Sequence, residues 1–456
     1  MTNSDSDRLA PPGRRPRLPF FSRNRGTVLI VSMWIILVLA GLILAFARTA
    51  RVEAIEAANC LAAAEAEAVA GGALQYVLAN VQSAQGSPAA LADLPCEQVQ
   101  LGDGYFWLLQ PRPVDGHTYT YGITDEASKL NLNAATLGML SMLPDMTAEL
   151  AASVVDWRDP ASDSTPGGAE DDYYLSLPEP YHCKNAPLET VEEVLLIKGG
   201  SRDVLYGQDA NRNGVLDPSE TVDMTGRLDC GFSEYATVYS VEPNTSASGQ
   251  QRIDINSTDT QALSTLLRNA LGTGRASVIM DRVRRERPFR NVFDFRQRAR
   301  LTTQEFAAVV DRLTTDRRPT LTGMVNVNTA PREVLLCLAG LDQGDVDALL
   351  TKRPVGTSGA DNVAWVADAL PAEKAVGIGG YVTARSYQYC VDIVSISGNG
   401  RAYKRYRAVV DARQSPARVV YWRDLTDLGW PLPAEIPAML RRGEQLTQAA
   451  FSVGLR

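Results

Sequence analysis

The sequence predicts an α+β fold, in which a long N-terminal helix leads into a small antiparallel sheet interrupted by a large helical insertion. An uncharged apolar run from Thr27 to Ala47 continues without proline through an alanine-rich stretch to about Asn80. Segments rich in aromatic and β-branched residues lie towards both ends of the remaining chain. The region between them, about residues 126–376, is dominated by leucine-rich helical patterns.

Length and composition are those of an ordinary folded chain with several domains. The 456 residues are 45% hydrophobic and 21% charged, close to the average for globular proteins. The net charge of −8 argues against nucleic acid as the main partner, because phosphate binding needs an excess of Lys and Arg. The chain has two histidines and no CxxC, so a zinc site or a histidine-dependent catalytic triad is poorly supported.

The apolar run has the length of a membrane-spanning helix. At the rise of an α-helix, Thr27 to Ala47 extends roughly 31 Å, which matches the hydrocarbon core of a bilayer. Six arginines precede the run against two aspartates, so residues 1–26 should stay in the cytoplasm and the bulk should lie outside. A cleaved signal peptide has a shorter apolar core. We therefore expect a single-pass inner-membrane protein whose bulk is periplasmic in a Gram-negative cell.

Several short segments beyond the helix are typical of β-strands. They alternate or cluster aromatic and β-branched residues and are bounded by turn residues. The clearest pair flanks Gly398-Asn399-Gly400, a sequence that favours a hairpin turn. The predicted strands are 105–109, 118–123, 389–397, 403–412 and 418–422.

A six-residue pattern occurs three times in the middle region. Each copy has an apolar residue, Asn or Asp, a second apolar residue, Asn and then small residues, at 130–135, 253–258 and 325–330. We expect the second Asn of each copy to cap the helix that follows it, by accepting free backbone N–H groups. The unequal spacing of the copies indicates duplicated small helical units rather than a regular solenoid.

Residues 209–220 match the EF-hand loop D-x-[DN]-x-[DN]-G-x5-E at every required position. The predicted calcium ligands are Asp209, Asn211, Asn213, the Val215 carbonyl, Asp217 and Glu220. Gly214 would allow the sharp turn, and a single copy indicates a structural clip rather than a sensor. The alternative is an acidic surface turn without a metal. Cys183 and Cys230 flank the loop, and either a disulfide between them or two free thiols would fit the sequence.

The junction Asn24-Arg25-Gly26-Thr27, followed by the apolar run, resembles a prepilin peptidase site. The resemblance implies cleavage after Gly26, with Thr27 as the new N-terminus. Most pilins carry glutamate at the fifth mature position, and here that position is Val31. Absence of this glutamate is a mark of the K-type minor pseudopilins of the type II secretion system, the general secretion pathway protein K family. The alternative is a plain signal anchor with an Arg-Gly by chance.

A second acidic stretch strengthens this resemblance. Asp156-Trp157 precedes Gly168-Ala169-Glu170 and Tyr173-Tyr174, an arrangement similar to a recognisable element of the K-type family. Members of that family bind calcium, which implies a second ion near the carboxylates Glu170, Asp171 and Asp172. Paired carboxylates can also serve acid–base catalysis. Nothing nearby supplies a nucleophile, so we expect no enzymatic activity.

The K-type resemblance implies a pilin-like core with an inserted domain of helix-hairpin-helix or SAM-like units. The predicted divisions are a leader (1–26), a spine helix (27–80), the first core part (81–125), the insertion (126–376), the second core part (377–425) and an unassigned tail (426–456). The resemblance further implies a filament-tip subunit that starts or caps a pseudopilus for export of folded proteins. Its implied partners are the I- and J-type minor pseudopilins, other pseudopilus subunits, the prepilin peptidase and the inner membrane.

Two other functions remain compatible with the sequence. Gly272-Thr273-Gly274 and the arginines of 282–290 resemble a DNA-binding helix-hairpin-helix module, which would suit a membrane-anchored receptor of a competence system. Loss of 282–290 would then abolish DNA retention. A membrane-bound hydrolase would instead lose turnover when Asp156 or Asp172 is replaced.

Overall fold

The computed structural model describes residues 25–110, 119–218, 220–222, 228–354 and 362–446. Most of the predicted leader, the first residue of the predicted strand 118–123 and the end of the predicted tail lie outside these ranges. The chain divides into two compact units, Met1–Cys60 and Leu61–Arg456. The domain boundaries predicted within the second unit stay predictions.

The helices and strands alternate irregularly along the chain. The helices are α1 (Arg25–Ser83), α2 (Leu137–Leu140), α3 (Ala148–Arg158), α4 (Asp171–Tyr174), α5 (Arg202–Tyr206), α6 (Gln261–Leu271), α7 (Thr273–Glu286), α8 (Val292–Ala299), α9 (Thr303–Ala307), α10 (Arg332–Leu336), α11 (Gln343–Lys352), α12 (Val366–Ala369), α13 (Ala372–Ile378) and α14 (Glu435–Arg441). The strands are β1 (Val99–Leu101), β2 (Gly104–Leu109), β3 (Thr124–Asp125), β4 (Leu130–Asn131), β5 (Ala236–Thr237), β6 (Val241–Pro243), β7 (Ile253–Asp254), β8 (Leu313–Thr314), β9 (Thr320–Thr322), β10 (Val325–Asn326), β11 (Val382–Thr383), β12 (Gln388–Ile396), β13 (Tyr403–Asp411) and β14 (Arg418–Asp424).

The first unit contains the apolar part of α1. Large side chains such as Trp34 and Phe46 are more than half exposed there. Among the described residues, α1 is the one helix long and apolar enough to cross a membrane. Because water opposes the exposure of so much apolar surface, this part of the helix suits hydrocarbon. The predicted continuous helix over 27–80 is confirmed.

The main sheet of the second unit has the order β1-β2-β12-β13-β14, with β3 also paired to β12, and all its pairs are antiparallel. The predicted strands 105–109, 389–397, 403–412 and 418–422 are confirmed within a residue or two. The predicted strand 118–123 is wrong. Its described part forms only a bridge between Tyr121 and Leu109, and regular pairing begins later, in β3.

The inner face of the sheet packs against the C-terminal part of α1. Val69, Ala73 and Val77 share a buried cluster with sheet residues that include Phe106 and Ile393. Alanines on this side of the helix let its backbone approach the sheet. Accordingly, Ser395 Oγ donates a hydrogen bond to the Ala66 carbonyl at 2.8 Å.

The outer face of the sheet is covered by the end of the described chain. Leu432, Ile436, Leu440 and Leu446 pack against a cluster on β2 and β12 that includes Trp107. The Gln98 side chain donates to the Leu446 carbonyl at 2.8 Å and ties down the end of this segment. Part of the tail that the sequence left unassigned is therefore a layer that packs on the sheet.

The three sequence repeats form three similar units. The first two residues of each copy make a short strand that pairs in parallel with a strand closing the same unit: β4 with β5, β7 with β8 and β10 with β11. Helices lie between each opening and closing strand, and their apolar faces share one large buried cluster. The predicted duplication of small, mostly helical units is confirmed.

The capping role predicted for the second Asn of each copy is wrong. The first polar residue makes the local turn instead, since Asn131, Asp254 and Asn326 each accept the N–H of the residue two positions later. The second Asn reaches across its unit. Asn133 exchanges two hydrogen bonds with the backbone of Leu188, at 2.8 and 2.9 Å, and Asn256 does the same with Phe289.

An arginine completes each of these turns. Arg158 donates to carbonyls of the first copy, Arg287 donates to the Ser257 carbonyl at 2.5 Å, and Arg353 donates to the Ala330 carbonyl at 2.6 Å. These arginines are distant in sequence from the turns they stabilise. Sequence spacing alone therefore did not reveal them.

Candidate functional site

The predicted calcium loop folds around its first carboxylate. Asp209 is 4% exposed and accepts hydrogen bonds from the N–H groups of Asn213 at 3.1 Å and Gly214 at 2.8 Å. Gly214 has a φ of +74°, which lies in the left-handed region that favours glycine. The motif thus places its glycine where the backbone requires one.

The two asparagines of the loop orient the aspartate that follows them. Nδ2 of Asn211 and Nδ2 of Asn213 donate to Asp217 Oδ2 at 2.5 and 3.2 Å. Their Oδ1 atoms accept from backbone N–H groups of Asn213 and Val215, at 3.0 and 2.8 Å. Three of the predicted ligands are therefore held together in one turn.

Glu220 closes the loop. Its two carboxylate oxygens accept from the N–H groups of Ala210 and Asp217, both at 3.0 Å, so the last predicted ligand folds back over the first residues of the loop. The whole predicted set, Asp209, Asn211, Asn213, Val215, Asp217 and Glu220, offers oxygen donors only, which is the ligand chemistry that Ca²⁺ prefers. These residues fit a calcium ion.

The first predicted ligand of the loop, Asp209, carries a charge that burial disfavours. Burial raises the pKa of Asp209 to about 6; the Gly214 N–H opposes this rise, and the nearby Glu220 carboxylate adds to it. A cation would offset both burial and repulsion. In the described ranges, no three His, Cys, Asp or Glu side chains form a ready metal cluster. The three carboxylates of the predicted ligand set, Asp209, Asp217 and Glu220, are therefore not drawn together into such a cluster, and the calcium site stays a prediction.

A buried arginine of the sheet holds the backbone of the loop. Arg405, on β13, is fully buried and donates to the carbonyls of Asn211 and Arg212 at 2.5 and 2.7 Å. It also pairs with Asp392 of β12 at 3.1 Å. Because a buried guanidinium needs partners, this arrangement locks the loop to the sheet. The sequence did not reveal the role of Arg405. Its position inside the predicted strand 403–412 was the one feature that could have indicated a buried, partnered arginine.

The two cysteines that flank the loop are free. Cys183 Sγ lies 4.0 Å from the Asp156 carbonyl, and Cys230 Sγ lies 3.7 Å from Asp209 Oδ2. The disulfide left open by the sequence is not formed. Each thiol instead fills a buried position beside a different acidic residue.

The carboxylates proposed for a second ion have separate surroundings. Asp171 accepts from the Cys183 N–H at 2.7 Å and contacts His182 Nδ1 at 3.0 Å, while Asp172 is exposed. Glu170 is buried, which raises its pKa, and its Oε1 has no hydrogen-bond partner in the described structure. A second metal site here stays a prediction.

Asp156 and its neighbours form a packing element. Both carboxylate oxygens of Asp156 accept from the Thr165 N–H, at 3.0 and 3.1 Å. A Cβ at Gly168 would lie 1.9 Å from Asp156 Oδ2, so only glycine permits this approach. Trp157 packs edge-on against Tyr174, with ring centroids 5.2 Å apart. This geometry gives the hydrolase alternative no support.

The basic stretch considered for DNA binding makes internal contacts. Arg275 pairs with Glu305 at 2.7 Å, beside the glycines of the hairpin. Further along, Arg282 donates to the Ala299 carbonyl and Arg284 pairs with Asp281. Arg287 donates to the Ser257 carbonyl. Because these guanidinium groups stabilise the second repeat unit, the DNA-binding alternative is not favoured.

The residues of the predicted processing site lie at the beginning of α1. Gly26 and Thr27 are exposed in its first turn, and a Cβ at Gly26 would meet nothing within 4 Å. Val31 is 56% exposed in the next turn. Cleavage and the meaning of Val31 stay predictions.

Comparison with known proteins shows that the segment preceding the loop is similar to one protein family. A family model described as type II secretion system (T2SS), protein K matches residues 124–206. The chain is also 28% identical over 114 residues to the type II secretion system protein K of Pectobacterium carotovorum subsp. carotovorum. The resemblance to the K-type family is confirmed. The matched K-type segment includes the Asp156-Trp157 and Tyr173-Tyr174 elements.

The extent of these similarities is limited. The alignment with the Pectobacterium protein K covers 20% of this chain and 35% of that relative, about a third of its length. A crystal structure of the GspK-GspI-GspJ complex from the enterotoxigenic Escherichia coli type 2 secretion system aligns with 82% of this chain and 98% of its own. The TM-score of this alignment is 0.40 and the sequence identity is 12%, which is a distant likeness.

Proposed function

We propose that this chain is a K-type minor pseudopilin of a type II secretion system, with a structural rather than a catalytic role. The observation that carries the proposal is α1. Its first part exposes an apolar surface suited to a membrane, and its last part packs on an antiparallel sheet. The family match over residues 124–206 supports the same conclusion.

The proposed topology follows from charge and hydrophobicity. Thr27 to Ala47 spans the inner membrane, the arginine-rich residues 1–26 stay in the cytoplasm, and the bulk lies in the periplasm. A prepilin peptidase removes residues 1–26 on the cytoplasmic side. The apolar surface of α1 then packs beside equivalent helices of other pseudopilins.

We place the subunit at the tip of the pseudopilus. Val31 supports this position. A glutamate buried in the membrane at position 31 would need a cationic partner from a neighbouring subunit, whereas valine needs none. The three repeat units add a bulky body after the first strands, which would hinder stacking of another subunit above. The I- and J-type minor pseudopilins are its proposed partners.

We propose calcium as the cofactor of the 209–220 loop. Replacement of Glu220 by Gln removes a charged, bidentate ligand while keeping a similar size, so calcium affinity should fall by about tenfold or more. Isothermal titration of the detergent-solubilised full chain would measure this. Glu373→Gln, an exposed carboxylate of α13, is the matched control and should bind as the wild type does. Equal affinity in all three proteins would contradict the assignment.

The membership in the pilin machinery has a direct test. The N-terminal mass of the protein purified from membranes should show loss of residues 1–26 in cells with the prepilin peptidase and an intact Met1 in cells without it. The Gly26→Val variant should keep an intact Met1 in both cell types. Intact protein in both cell types would indicate a plain signal anchor and refute the pseudopilin assignment.

A further inference from the structure

The last described segment of the chain, residues 430–446, covers the outer face of the sheet; we call it the strap. Leu432, Ile436 and Leu440 bury apolar side chains on β2 and β12. Trp430 packs edge-on against Trp107, with ring centroids 6.0 Å apart. The strap contains one short helix, α14, so its position depends on contacts with the sheet and its neighbours.

The calcium loop touches the strap where the strap begins. Asn213 Nδ2 donates to the Pro431 carbonyl at 3.2 Å, and the two residues are 218 positions apart in the chain. The same amide group donates to Asp217 within the loop. The amide group of Asn213, a predicted calcium ligand, therefore links the loop to the beginning of the strap.

The loop also touches the sheet just before the strap. Arg405 holds the carbonyls of Asn211 and Arg212, and its own backbone carbonyl accepts from the Leu425 N–H at 2.8 Å. Its backbone N–H donates to Thr426 Oγ1 at 3.1 Å. One residue of β13 thus connects the loop to the chain that enters the strap.

One tyrosine at this junction lies near an acidic residue of the loop and another of the strap. Burial raises the pKa of Tyr119 to about 12, and the next contributions come from Asp217 of the loop and Glu435 of the strap helix. Asp217 and Glu435 therefore both lie near one phenol that packs on the strap's cluster. Within the loop, the Glu220 carboxylate repels that of Asp209, and a bound cation would relieve this repulsion.

We propose that calcium in the 209–220 loop fixes the strap on the outer face of the sheet, so that calcium controls exposure of that apolar face. This inference rests on the proposed calcium site and names what the site regulates. With calcium, the loop presents Asn213 to Pro431 and its negative charge is neutralised. Without calcium, the loop loosens, the Asn213 contact is lost, and the strap detaches more often.

Hydrogen exchange read by mass spectrometry tests the proposal on the full chain in detergent. Backbone amides of 430–446 should exchange about tenfold faster in a calcium chelator than in calcium, because local opening sets their rate. Amides in the centre of β12 should be unaffected, which separates strap release from general unfolding. Titration calorimetry with calcium alone, on the same sample, reports whether the loop binds the ion.

Asn213→Asp isolates the contact. It keeps an oxygen ligand that the loop motif accepts but removes the amide that donates to Pro431. Calorimetry on the same variant gives its calcium affinity, and with the loop saturated by calcium its strap should still exchange at the fast rate. Asn211→Asp is the matched control, since it makes the same change in the loop at a side chain without a hydrogen bond to the strap. With its loop saturated in the same way, the Asn211→Asp strap should keep calcium-dependent protection.

The outcomes separate the two claims. Calcium binding with unchanged strap exchange would overturn the inference and leave the calcium site intact. Calcium-dependent protection in Asn213→Asp equal to that of the wild type would overturn the route through Pro431. Absence of calcium binding in the wild type would refute both the proposed site and the inference.

Discussion

At the residue scale, single amide side chains join distant parts of the backbone. Asn256 both donates to and accepts from Phe289, at 2.9 and 2.8 Å, and Asn133 makes the equivalent pair with Leu188. Each pair satisfies a backbone N–H and a carbonyl that would otherwise be unpartnered in a region of low solvent access. The repeat pattern therefore marks cross-unit contacts more than it marks helix caps.

Asn256→Ala should destabilise the second repeat unit. The substitution leaves the N–H and the carbonyl of Phe289 without partners, at a cost of about 2–4 kcal/mol. Thermal unfolding of the full chain in detergent would show a lowered midpoint. Asn269→Ala, on the exposed face of α6, should change stability by no more than about 0.5 kcal/mol. Equal midpoints for the two variants would contradict the role assigned to Asn256.

Glu305 gives the second unit an acid-sensitive contact. Arg275 donates to both of its carboxylate oxygens, at 2.7 and 2.9 Å, and Thr302 adds a backbone N–H. These bonds, that from Arg275 foremost, lower the pKa of Glu305 from 4.5 to about 2. Since the folded-state pKa is the lower one, the contribution to stability is present above pH 4.5 and is lost as pH falls towards 2.

Glu305→Gln should therefore cost about 1 kcal/mol at neutral pH and less in acid. Unfolding midpoints of variant and wild type, compared from about pH 6 to about pH 3, should converge as the carboxylate is protonated. Glu373→Gln serves again as the exposed control. A difference from wild type that stayed constant across this range would show that Glu305 acts through packing and not through its charge.

At the scale of elements, long or strictly alternating local patterns predicted helices and strands correctly. The apolar and alanine-rich run became α1, and the Gly398-Asn399-Gly400 turn joins β12 and β13. The segment 118–123 has the composition of a strand, yet Gly122 has a φ of +156° and Tyr121 makes only a bridge. Its aromatic residues pack beside the sheet instead of extending it.

A charge in the middle of the apolar run should prevent stable membrane insertion. Leu37→Arg places a guanidinium at the centre of Thr27 to Ala47, at a cost of about 3 kcal/mol for insertion. Alkaline extraction of cell membranes should release a larger share of this variant than of the wild type. Ala57→Arg, at an exposed position of the same helix beyond the run, should remain in the membrane fraction. Equal extraction of both variants would argue against a spanning helix.

At the scale of the whole molecule, the chain is stabilised without disulfides. All six cysteines are free, and five of them are buried. Burial raises the pKa of Cys96 to about 11 and that of Cys337 to about 12, so these thiols stay protonated and unreactive at neutral pH. The stability must then come from the buried clusters and from the hydrogen bonds that join distant segments.

Alkylation gives a direct check of this picture. Without reductant, iodoacetamide should modify only the exposed Cys60 in the native protein and all six cysteines after denaturation. The mass of the intact chain counts the modified thiols, and a reduced sample serves as the control. Two cysteines that remain unmodified in the denatured, unreduced chain would reveal a disulfide.

The sequence alone determined the features that depend on neighbouring residues: the apolar helix, the hairpin, the repeats and the order of the predicted calcium ligands. Tertiary structure decided how these features are joined. Arg405 reaches Asn211 across 194 positions, and Asn213 reaches Pro431 across 218. Hydrophobic periodicity and turn residues predict the structure of a few neighbouring positions at a time. The contacts of Arg405 with Asn211 and of Asn213 with Pro431 exist only after folding brings distant segments together. The strap and the buried arginine could therefore not be predicted from local pattern.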